Sequence, residues 1–102
     1  MTVNYYFLEI MERNGDREYP STTLLQTTAS ASKAKKDIDK YLMDWRNCDK
    51  DDWDEDEQGY WSDCTLITCT DAVEVEEEDA KELMRIQQKY KGVNLGFHCD
   101  SI

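Results

Sequence analysis

Seven carboxylates crowd nine consecutive residues in the middle of the chain: Asp49, Asp51, Asp52, Asp54, Glu55, Asp56 and Glu57. Carboxylates this dense suit two chemistries, hard-cation ligation and imitation of a polyanion. Asp52, Asp54 and Asp56 have the D-x-D-x-D spacing of a calcium loop, and Asp63 falls at the twelfth position. The sharp turn of such a loop needs Gly at the sixth position, where this chain has Glu57, and a β-type segment follows instead of a helix. Imitation of nucleic acid asks less of the spacing. Duplex DNA presents one negative charge per roughly 1.7 Å of axis, and a basic groove is drawn to any similar array. Trp53, with Tyr60 and Trp61 just beyond, adds aromatic side chains of the kind that anchor interfaces. Glu76, Glu77 and Glu78 form a second acidic run. The plain alternative is a hydrated loop that serves only solubility.

The remaining reactive side chains assemble poorly. Cys48, Cys64, Cys69, Cys99 and His98 have the donor types of a zinc site. Zinc knuckles separate their cysteines by two to four residues on a turn, whereas Cys64 and Cys69 fall within a segment that reads as one strand, pointing to opposite faces. The expectation is four reduced, metal-free thiols. Nucleophilic catalysis needs a base, and the only histidine is His98, beside Cys99 in an extended tail where neighbouring side chains point apart. The four glycines, at 15, 59, 92 and 96, are isolated, so no phosphate-binding loop is present. The chain reads as a non-enzyme without a cofactor.

Charge distribution sharpens this reading. The 102 residues carry 12 Lys and Arg against 23 Asp and Glu, a net charge of −11. That balance opposes direct binding to nucleic acid or to an anionic membrane. Residues 47–82 alone sum to −13, so about a third of the chain holds more than the whole net charge. No apolar run has the length of a membrane span, and the first residues lack the basic start of a signal peptide, so the expected compartment is the cytoplasm.

One domain, residues 1–102, must position these groups. Thr2 to Glu12 reads as a strand, with Val3, Tyr5, Phe7 and Met11 on one face and Tyr6, Leu8 and Ile10 on the other. A strand central in its sheet or covered on both sides has this pattern. Asn14-Gly15 predicts a type I′ turn into a second strand over Arg17–Thr28, with Pro20 near its beginning. Ser30 or Ser32 would cap a helix reaching about Arg46, whose apolar stripe is Ala34, Ile38, Tyr41, Leu42 and Trp45. Tyr60–Thr70 reads as a third strand, extending toward Val75. A second helix opens on Glu76–Asp79, buries Ala80, Leu83, Ile86, Gln87 and Tyr90, and stops at Gly92. Val93–Ile102 adds a short edge strand or frays. The expected fold is α+β in the order β-β-α-β-α, an antiparallel sheet of three or four strands with two helices on one face.

Over residues 3–91 this layout resembles the small acidic proteins carried by phages and other mobile elements. The features concerned are Tyr5-Tyr6-Phe7, Asn14-Gly15, the Ala29–Trp45 helix, the acidic Trp/Tyr loop from Asp49 to Trp61, and the strand that runs directly into the acidic helix at Ala72–Leu83. Some proteins of that kind are anti-CRISPR inhibitors or DNA mimics. The resemblance implies an inhibitor that occupies a basic, nucleic-acid-binding surface of a host protein, and it carries over no functional residue. The acidic runs themselves nominate the partner-binding residues: Asp49, Asp51, Asp52, Trp53, Asp54, Glu55, Asp56, Glu57, Glu76, Glu77 and Glu78. Two other readings stand beside it. One is a calcium- or other metal-binding regulatory domain on residues 52–63. The other is a structural or assembly subunit that forms a homodimer through Tyr6, Leu8 and Ile10.

Overall fold

Apolar side chains on both faces of one strand can be buried only if that strand lies inside the sheet with a layer on each side. This is the arrangement in the computed structural model, which describes residues 3–28 and 33–102. The elements are β1 (Asn4–Asn14), β2 (Arg17–Thr27), α1 (Ala34–Trp45), a 3-10 turn at Lys50–Asp52, β3 (Trp53–Asp54), β4 (Gly59–Ser62), β5 (Thr65–Val75), α2 (Glu77–Lys89) and β6 (His98–Ser101). They form one six-stranded sheet in the order β3-β4-β5-β1-β2-β6. All neighbours are antiparallel except β6, which runs parallel to β2.

The two faces of β1 separate the helices. Tyr6, Leu8 and Ile10 join Leu25 and Ile67 beneath Ala34, Ile38, Tyr41 and Leu42 of α1. Tyr5 and Leu24, with Phe7, Val75, Phe97 and Cys99, lie beneath Ala80, Leu83 and Met84 of α2. The fold is α+β as expected, but the helices cover opposite faces, and the sheet is larger and mixed. Leu8 and Ile10 are fully buried under α1, so the homodimer surface expected there is already covered.

Local departures have local causes. Asn14 pairs with Arg17, so the hairpin turn is Gly15-Asp16, one residue later than expected. Gly15 takes φ 60° and Asp16 does not take a positive φ, the pattern of a type II′ turn in place of type I′. The single strand expected over 60–70 is instead a second hairpin. Ser62 pairs with Thr65 across Asp63-Cys64, and Asp63 supplies a positive φ of 52°. Cys64 therefore sits in a turn, whereas Cys69 lies in β5. A bulge follows: Ile10 pairs with Cys69 but Glu9 pairs with Asp71, leaving Thr70 without a register partner. The extra residue puts Ile67, Cys69, Ala72 and Glu74 all on the α1 face. Helix α1 is preceded at its capping position by Lys33, which makes no side-chain cap bond, and the expected caps Ser30 and Ser32 lie outside the described residues. Among the described residues no helix is long and apolar enough to cross a membrane.

Candidate partner-binding edge

The acidic loop is built from short-range bonds between its own residues. Asp49 accepts from the amide of Asp51 at 3.4 Å, and Asp52 accepts from the amide of Asp49 at 2.8 Å, closing a capping box around the 3-10 turn. Asp54 accepts from the amides of Asp56 and Glu57 at 3.0 and 3.1 Å through one oxygen. Its other oxygen accepts from Trp61 Nε1 at 2.9 Å. The Trp61 bond, then these amides, hold the Asp54 carboxyl below its ordinary pKa. Glu55 accepts from Trp53 Nε1 at 2.7 Å, and Glu57 pairs with Arg13 at 3.1 Å. Gln58 closes the β3–β4 turn with a positive φ of 54° and donates to the Glu55 carbonyl at 2.7 Å. Among the described residues, Asp51 and Asp56 are the loop carboxylates without a hydrogen bond or ion pair.

The aromatics divide between core and surface. Trp53 meets Tyr60 edge-on at 4.9 Å and lies under Lys35, at 5.9 Å from its ammonium, on the α1 side of the sheet. Tyr60 is buried, so among these three the exposed ring is Trp61.

Glu76, Glu77 and Glu78 stand exposed at the start of α2, where Glu77 pairs with Lys81 at 3.1 Å. They do not touch the loop. Gly59 at the base of the β3–β4 hairpin pairs with Thr68, and Glu76 comes eight residues later, about 26 Å along an extended strand. Both acidic segments nevertheless share one edge of the sheet, and Asp71 and Glu74 of β5 lie between them, both exposed. Sequence reasoning missed these two. Inside a stretch read as one unbroken strand, nothing told which side of β5 would be left without a neighbour.

Metal-ligating geometry does not form on these residues. Asp52 and Asp54 point to separate backbone donors, and Asp63 lies in the β4–β5 turn at the far end of β4. Among the described residues no three His, Cys, Asp or Glu side chains gather as a metal site requires. The four cysteines are free thiols, and burial pushes the pKa of Cys48, Cys69 and Cys99 up, which lowers their nucleophilicity at neutral pH. His98 and Cys99 align with Thr23 and Leu24, on opposite faces of the sheet. Comparison with protein-family models, with curated proteins and with solved structures finds no match to this chain.

Proposed function

We propose that this protein is an acidic, non-catalytic inhibitor that occupies a basic nucleic-acid-binding surface of another protein. The observation that carries the reading is the ordered carboxylate edge. From the β3–β4 hairpin to the first turns of α2, Asp54, Glu55, Asp56, Glu57, Asp71, Glu74, Glu76, Glu77, Glu78, Asp79 and Glu82 place eleven carboxylates along one side of the sheet. Arg13, Lys81 and Arg85 neutralise three of them. The remaining eight, over roughly 30 Å of edge, give one charge per about 4 Å, close to the 3.4 Å per phosphate along one DNA strand. A disordered acidic tail of equal charge would lose conformational entropy on binding. The capping box, the Asp54 turn and the two tryptophan bonds have already fixed the loop. The resemblance to phage-borne inhibitors points the same way, with the host cytoplasm as the place of action.

The test is affinity capture from host-cell extract, comparing the native chain with an Asp51→Asn/Asp56→Asn/Glu76→Gln/Glu78→Gln variant. These four carboxylates make no bonds within the described fold, so the variant keeps the structure. A nucleic-acid-binding protein retained by the native chain and lost by the variant is the expected result. Equal retention by both would overturn the reading.

A further inference from the structure

Beyond the acidic loop, the edge of β5 has its own geometry. β4 pairs with β5 only over Thr65–Thr68, while β1 holds the other side of β5 as far as Val75. Among the described residues, the outer backbone groups from Thr70 to Val75 therefore have no strand beside them. Such an edge is a template for another chain. Two clefts flank it, one on each face of the sheet. On the α2 face a groove of about 590 Å³ has Phe7, Val75 and Leu83 as its floor and Glu76, Asp79 and Glu82 on its rim. On the α1 face a cleft of about 350 Å³ is bounded by Ala34, Ile38, Cys69 and Ala72, together with Lys35 and Asp39, whose charges are paired with each other at 3.1 Å.

We propose that this edge docks an extended segment of a partner protein in which basic and apolar residues alternate, added to the sheet as a seventh strand beside β5. Side chains of a strand alternate between faces, so one added strand serves both clefts at once. Its apolar side chains enter the α1-face cleft. Its lysines or arginines cross the α2-face groove, laying their aliphatic stems on Phe7, Val75 and Leu83 and their charges against Glu76 and Asp79. Val73, paired with Phe7 and 52% exposed, extends the same apolar floor.

Charge selects the occupant. Residues 71–82 hold seven carboxylates and one lysine, Lys81, which is paired with Glu77. A second copy of this chain would bring an identical acidic edge, Asp71 and Glu74 included, against this one, and like charges across a strand pair are destabilising. An acidic or phosphorylated segment is repelled for the same reason. A basic one is attracted. The site shares Asp71 to Glu82 with the acidic edge of the inhibitor reading and takes nothing from residues 49–57. Peptide titration tests strand addition at β5 alone, whereas capture and competition with nucleic acid test the inhibitor reading, so the two failures are distinguishable.

The experiment titrates the acetylated, amidated hexapeptide Val-Lys-Val-Lys-Val-Lys into the isotope-labelled full chain and follows its backbone amides by NMR. Saturable binding is expected at a Kd below about 1 mM, with the largest shifts in Thr70–Val75 and the first turns of α2. Two further peptides carry N-methyl groups on the valines alone or on the lysines alone. One of the two must lose about tenfold or more in affinity, because only one edge of the peptide donates to β5. Glu76→Gln/Asp79→Asn is expected to weaken the parent peptide about threefold or more, and a valine–glutamate peptide should show no saturation. Failure to saturate, shifts confined to residues 49–57, or equal affinity of both N-methyl peptides with the parent would each overturn the proposal.

Discussion

Gly59 offers a way to dislodge the acidic hairpin without removing a single charge. A Cβ at this position would lie 2.4 Å from the Ile67 carbonyl oxygen and 2.6 Å from Thr68 Cγ2. Ordinary contact begins near 3.4 Å, so Gly59→Ala is short by 1.0 Å at the carbonyl. The Thr68 methyl can rotate aside, but the Ile67 carbonyl belongs to the β4–β5 pair, where Gly59 faces Thr68 in register. Relief therefore means separating β4 from β5. Overpacking of this kind costs about 1–3 kcal/mol, and each ladder bond lost adds about 1 kcal/mol. An expected loss of about 2 kcal/mol corresponds to a fall in Tm of about 10 °C for a chain of this size. Calorimetry or circular dichroism at neutral pH measures it. Trp53 and Trp61 both belong to the displaced hairpin, so their fluorescence should shift to the red in the same variant. A Gly59→Ala protein melting within about 2 °C of the native chain would refute the reasoning that this close approach locks the hairpin to the sheet.

Three further outcomes are expected. Asp51→Asn/Asp56→Asn should leave Tm unchanged and slow association with the captured partner, while the matched Asp16→Asn/Glu18→Gln change on the first hairpin leaves the rate unaffected; surface plasmon resonance at low salt distinguishes them. Leu8→Ala, emptying a fully buried site between β1 and α1, should cost about 2–5 kcal/mol in urea denaturation. Alkaline stability should fall from about pH 9 upward. Burial, first, raises the pKa of Cys48, Cys69 and Cys99 above 9.0 and of Tyr6, Tyr41 and Tyr60 above 10.0, Tyr41 most of all, with added help from its bond to Asp100. The folded state keeps these protons longer than the unfolded chain. Their contribution is thus complete below the ordinary values and is lost as pH rises through the folded ones. Denaturation midpoints of the native chain and Tyr41→Phe across pH 8–12 check this, the variant showing the shallower decline.

The sequence discloses the elements of this fold better than their arrangement. The aromatic first strand, the hairpin at residue 15 and both helices are legible because period-2 and period-3.6 patterns are local. The two-faced pattern of β1 even contains the position of the helices. Tyr5 and Phe7 need a cover as much as Leu8 and Ile10 do, and one layer of helices cannot supply both. The second hairpin is hidden because Asp63, which turns the chain with a positive φ, lies in a run otherwise rich in strand formers. The parallel pairing of β6 with β2 depends on contacts more than seventy residues apart, which no local pattern reports.

The candidate site divides in the same way. Carboxylate density marks the loop, but the roles of individual carboxylates depend on neighbours distant in sequence. Glu12 reads as one more charge on the first hairpin. In the fold it accepts from Trp45 Nε1 at 2.7 Å and pairs with Arg46, tying β1 to the end of α1. Asp54 reads as a calcium ligand or as bare charge, yet it is the acceptor that shapes the turn and holds Trp61. The open edge of β5 appears only once β4 is seen to reach no further than Thr68, where Gly59 pairs, leaving Asp71 and Glu74 uncovered.

Competition with nucleic acid tests the central claim most directly. Fluorescence anisotropy of a labelled duplex bound to the captured partner, titrated with this protein, should fall to the free-duplex value near one equivalent at low salt. Measured directly, without the duplex, the Kd of this protein for the partner should rise as salt rises from about 0.05 to 0.3 M, because charge carries the encounter. A ternary complex, in which the duplex stays bound while this protein adds to the same partner, would contradict the account.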